Sequence, residues 1–76
     1  MEKIMEILQG IRPEFDFNSS EDFIEDGYLD SFDLVSLVSE LDETFDISID
    51  GLDIIPENFK SLDTITNVVK KNGGNV

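Results

Sequence analysis

Residues 30–45 read Asp-Ser-Phe-Asp-Leu-Val-Ser-Leu-Val-Ser-Glu-Leu-Asp-Glu-Thr-Phe, and this stretch decides the fold class. Leu34, Leu37, Val38, Leu41 and Phe45 keep the spacing of one helical face. Phe32 and Val35 add apolar side chains and are counted with the core. Asp30 or Ser31 is the N-cap, and Asp33 sits in the first turn, where a negative charge favours the positive helix end. A helix over this stretch would be roughly 24 Å long.

Upstream, Ile4, Ile7, Leu8 and Ile11 repeat the helical spacing, and Pro13 stops the run. The spacing predicts a first helix from Glu2 to Ile11. Residues 14–29 show no sustained period. Phe15, Phe17, Phe23, Ile24, Tyr28 and Leu29 make this a long loop pinned to the core, and a loop of that length in so small a domain is usually functional. Downstream, Ile47 and Ile49 alternate with polar residues, as a two-residue strand or an extended connector would. Pro56 opens a short helix through Phe59. Ser61 caps a last helix containing Leu62, Ile65, Val68 and Val69. Lys70 and Lys71 suit its C-terminal end, and Gly73-Gly74 end it. The expectation is an all-α single domain over residues 1–76, a small bundle of three main helices plus one short one. Its core would span residues 2–71, followed by a flexible tail over 72–76.

The chain has 76 residues, with 5 Lys plus Arg against 18 Asp plus Glu, a net charge of −13. It contains no His and no Cys. That excludes a metal site built from imidazole or thiolate, a His-activated nucleophile and a disulfide framework. Such acidity is repelled by nucleic acid and by anionic membrane surfaces. No apolar run is long enough for a membrane span and no leader is evident, so a cytoplasmic monomer is expected. The charge is uneven. Between Arg12 and Lys60 there is no basic residue, while the acids from Glu14 to Glu57 number 15.

One motif has the chemistry to use this. In Asp26-Gly27-Tyr28-Leu29-Asp30-Ser31-Phe32-Asp33 a serine hydroxyl stands at the entry to the best helix, after a long loop. A phosphate ester there would meet the positive helix end. The plain alternative is that Ser31 is only a helix cap.

From about Ile4 to Val69 the chain resembles the acyl carrier protein family, which includes peptidyl and D-alanyl carriers. The resemblance lies in Phe23-Ile24-Glu25-Asp26-Gly27-Tyr28-Leu29-Asp30-Ser31-Phe32-Asp33. It continues in Leu37-Val38-Ser39-Glu40-Leu41-Asp42-Glu43-Thr44-Phe45 and Asp46-Ile47-Ser48-Ile49. It ends in Phe59-Lys60-Ser61-Leu62-Asp63-Thr64-Ile65. The resemblance implies an acyl-carrier-like four-helix bundle whose Ser31, flanked by Asp30, carries 4′-phosphopantetheine covalently. A phosphopantetheinyl transferase would supply that arm from coenzyme A with Mg²⁺. The thiol of the arm would hold an acyl or aminoacyl group as a thioester, loaded by a ligase and passed to an acyltransferase or synthase. The chain itself would be no enzyme and would need no structural metal. A protein without Cys would thus work with an imported thiol.

The resemblance also implies that partners dock basic patches on the acidic second helix. That helix offers Asp30, Asp33, Glu40, Asp42 and Glu43. Asp33 and Glu40, seven apart, would share a face that Glu43 extends. Phe32 follows the serine where the fatty-acid type has Leu, and Ser36 stands where that type has an acid. Leu29-Asp30-Ser31-Phe32 looks closer to stand-alone and D-alanyl carriers, so the cargo stays open among a fatty acyl group, as in fatty-acid biosynthesis, D-alanyl, another aminoacyl group and a polyketide unit.

Two readings compete from other classes. Asp46, Ser48, Asp50, the Leu52 carbonyl and Glu57 match the spacing of an EF-hand-like calcium loop. Against it stand Asp53 at the eighth position, Pro56 before Glu57, and the lack of a second loop. The other is a helical adaptor with an acidic face, in which Ser31 merely caps.

Overall fold

The computed structural model describes residues 2–75, which contain three α-helices and no strand. They are α1 (Glu2–Ile11), α2 (Ser31–Phe45) and α3 (Leu62–Lys71). Met1 and Val76, the ends of the expected domain, lie outside the described residues. Single 3₁₀ turns occur at Phe17–Ser19, Gly51–Asp53 and Pro56–Asn58. The expected short helix after Pro56 is therefore one 3₁₀ turn, and the Ile47–Ile49 stretch is connector.

Periodicity explains the packing. Ile4 and Leu8 from α1 meet Leu34, Leu37 and Leu41 from α2, and Ile65, Val68 and Val69 from α3. The connections complete this core with Phe17, Phe23, Leu29, Ile49 and Phe59. Phe32 and Val35 do not belong to it, contrary to expectation: they are 84% and 68% exposed. The reason is angular. At 3.6 residues per turn they lie roughly 140–160° around α2 from Leu37.

The long loop is held by aromatic packing and by its backbone. Phe17 meets Phe23 and Tyr28 edge-on, with ring centroids 5.0 and 5.6 Å apart, and Phe15 stacks on Tyr28 at 4.4 Å. The Phe23 N–H donates to the Lys60 carbonyl, tying the loop to the start of α3. The Tyr28 and Leu29 N–H groups both donate to the Phe23 carbonyl, closing a turn in which Gly27 takes a φ of +76°. Leu29 is buried, so the residue after it enters α2 from a fixed point.

The helix ends follow from local chemistry. Asp46 adopts the left-handed conformation that terminates α2. At the end of α3 the Gly73 N–H donates to Lys70 O and the Gly74 N–H to Val69 O, the paired bonds of a Schellman turn. Residues 72–74, expected in a flexible tail, are thus bonded to the body. Asn72 adds to this by accepting from the Asp50 N–H and donating to the Val68 carbonyl.

Candidate functional site

Asp30, not Ser31, caps α2. Its backbone is extended and its Oδ1 accepts from the Asp33 N–H at 3.0 Å, while Asp33 Oδ2 accepts from the Asp30 N–H at 3.0 Å. This is a reciprocal capping box, built here from two aspartates. Ser31 is the first residue of α2 and is exposed. The cap therefore makes no use of its hydroxyl. Phe32, directly after Ser31, and Val35, one turn on, stand exposed.

The two acids of the box share one cation. Arg12 Nε donates to Asp33 Oδ2 at 2.9 Å, and Arg12 Nη2 to Asp30 Oδ2 at 3.3 Å. A third nitrogen, Nη1, reaches Glu14 Oε2 at 3.4 Å. Asp33 is 8% exposed, and its carboxylate is satisfied from both sides. The Asp30 carboxyl is held below the ordinary aspartate value, chiefly by the Asp33 N–H and then by the charge of Arg12. Arg12 is in turn held more firmly protonated, above all by its hydrogen bond to Asp33. Sequence reasoning did not connect Arg12 to this site. The available signal was the last cation before a long all-acid segment.

The expected acidic docking stripe is redistributed. Asp33 faces inward, because its place in the box turns it toward Arg12. Asp42 is half-buried and accepts from the Ile49 N–H at 2.9 Å. Glu40 and Glu43 are exposed and form no ion pair among the described residues. Of the acids singled out for partners, these two are left presenting charge to solvent.

Two residues of the calcium-loop spacing, Asp46 and Asp50, serve local structure. Asp46 ends α2, and Asp50 Oδ1 accepts from the Leu52 N–H at 2.9 Å to start a 3₁₀ turn. Ser48 and Glu57 are exposed. Asp53, which is not one of the expected ligands, is buried and bonded to Lys71 Nζ at 2.8 Å, and that bond holds its carboxyl below the ordinary value. Among the described residues no three Asp or Glu side chains gather closely enough to hold a metal ion.

No family model, no curated protein and no solved structure matches the chain. Among the described residues no helix is long and apolar enough to cross a membrane.

Proposed function

We propose that this protein is a carrier of the acyl-carrier type, modified with 4′-phosphopantetheine on Ser31. The observation that carries the reading is the division of labour at the start of α2: Asp30 caps the helix, and Ser31 is exposed and spared from that task. A serine that only capped its helix would be expected at the position Asp30 occupies. The residues present fit the group. Ser31 is exposed at a helix N-terminus, where a phosphodiester is favoured, and no cavity is needed for a flexible arm. The arm supplies a thiol, absent from this sequence, on which an acyl or aminoacyl group is held as a thioester.

In this reading the three helices and the turn at Pro56–Asn58 form the acyl-carrier-like bundle, with that turn in the place of the short helix. The protein is a substrate of a phosphopantetheinyl transferase and catalyses nothing alone. It works as a cytoplasmic monomer between a loading ligase and a downstream acyltransferase or synthase. Glu40 and Glu43 supply charge toward basic partner surfaces, and exposed Phe32 and Val35 supply apolar contact beside Ser31. The exposed aromatic ring next to the attachment point is the feature that favours a specialised carrier, of D-alanyl or another aminoacyl group, as the second reading.

The test is incubation of the purified protein with coenzyme A, Mg²⁺ and a broad-specificity phosphopantetheinyl transferase, followed by intact mass measurement. One arm is added to the wild type and none to Ser31→Ala. An unmodified wild type rejects the reading.

A further inference from the structure

We infer that Arg12 is a positioning residue for the modification of Ser31, acting through the capping box. The inference rests on the carrier reading. It begins with an electrostatic oddity. A capping box ordinarily pairs a hydroxyl with Glu or Gln, but here both partners are aspartates. Their two hydrogen bonds span Ser31 and Phe32, so the box fixes the backbone on both sides of the serine. The same closure brings two negative carboxylates together at one helix end. Asp33 is buried there, where an uncompensated charge is costly.

Arg12 resolves this from another element. It follows the last residue of α1, and its backbone N–H donates to Leu8 O at 3.0 Å, so its Cα is fixed by α1. From there Nε takes Asp33 while Nη2 takes Asp30. Only a planar fork offers two donors in fixed directions to two different carboxylates. A lysine ammonium is a single charge on a flexible stem. The guanidinium therefore holds the box shut and orients the Ser31 hydroxyl relative to the helix axis. Without it the two carboxylates repel, Asp33 turns toward water, and the first turn of α2 frays.

The consequence falls on phosphoryl transfer. In that reaction the Ser31 Oγ–H bond is replaced by an Oγ–P bond, and the P–O–P bond of coenzyme A breaks. Adenosine 3′,5′-bisphosphate leaves, and the serine proton passes to a base on the transferase. Rates of such in-line displacements depend steeply on where the nucleophile sits.

The experiment compares wild type, Arg12→Met, Arg12→Lys and the remote control Lys71→Met, which loses the same charge as Arg12→Met. Each is checked for folding by circular dichroism and assayed below its melting range. Initial rates of arm transfer are measured, together with amide hydrogen exchange across α2 and α3. Arg12→Met lowers kcat/KM roughly ten- to a hundredfold. Arg12→Lys does not restore it, Lys71→Met leaves it unchanged, and amide exchange accelerates at residues 31–34 of Arg12→Met but not in α3. A wild-type rate in Arg12→Met, full rescue by Lys, an equal loss in Lys71→Met, or unchanged exchange at residues 31–34 overturns the inference. An unmodified wild type overturns the carrier reading instead, and the exchange measurement still decides whether Arg12 holds the box.

Discussion

Two serines in this chain stand before apolar helices, and the structure treats them differently. Ser61 is the N-cap of α3: its Oγ accepts from the Thr64 N–H at 3.2 Å, and Thr64 Oγ1 accepts from the Ser61 N–H at 3.1 Å. Ser61 is half-buried and spent on holding its helix. Ser31 opens α2 one position later in the frame, because Asp30 has taken the cap. Ser61 is a structural part whose side chain is engaged in its own helix cap. Ser31 is exposed and takes no part in the cap of the helix it begins. This contrast is the basis for assigning chemistry to Ser31 and none to Ser61.

Substitutions sharpen the contrast. The largest effect is expected at Asp30. Asp30→Ala removes the cap and strands Arg12 and Asp33 without their third partner, so its melting temperature falls below that of every serine variant. Thermal unfolding followed by circular dichroism checks the ranking. Ser61→Ala loses a capping bond worth about 1 kcal/mol, which in a domain of this size lowers Tm by roughly 4–8 °C. A Ser61→Ala protein as stable as wild type would erase the distinction from one side.

The pH dependence of the Asp30 cap is the next test. The folded-state carboxyl is held below its ordinary value of 3.8. Its charge therefore adds stability above that pH and loses it as pH falls through the lowered value. Asn also caps but carries no charge. The stability difference between wild type and Asp30→Asn is expected at neutral pH and shrinks toward zero in acid. Taking the difference matters, because protonation also relieves repulsion across a chain of net charge −13. A difference that grows in acid contradicts the assignment. The smallest effect is at Ser31 itself: Ser31→Ala changes stability by no more than about 0.5 kcal/mol in denaturant titrations.

How much of this could be read from the sequence follows the range of the forces involved. The three helices were legible because their apolar spacing and caps are local: Ile4 with Leu8, Leu37 with Leu41, Ser61 with Thr64. The loop anchors Phe17, Phe23 and Leu29 were legible as apolar residues with no other use. Phe32 and Val35 share the apolar character of the core residues, and only their angle around α2 sets them apart. The choice between Asp30 and Ser31 as cap could not be made from composition, since both residue types cap well. The inward turn of Asp33 was hidden because its partner, Arg12, is 21 residues away in sequence. The pairing of Asp53 with Lys71, 18 residues apart, was hidden for the same reason. Long-range ion pairs leave no periodic trace. In sequence the acids of α2 look equivalent, but Asp30, Asp33 and Asp42 meet internal demands and Glu40 and Glu43 do not.

The most direct measurement is the intact mass of wild type, Ser31→Ala and Ser61→Ala after treatment with coenzyme A, Mg²⁺ and a phosphopantetheinyl transferase. The carrier account predicts one added arm on wild type and on folded Ser61→Ala, and none on Ser31→Ala. An arm that persists in Ser31→Ala, or a wild type that gains none, contradicts it.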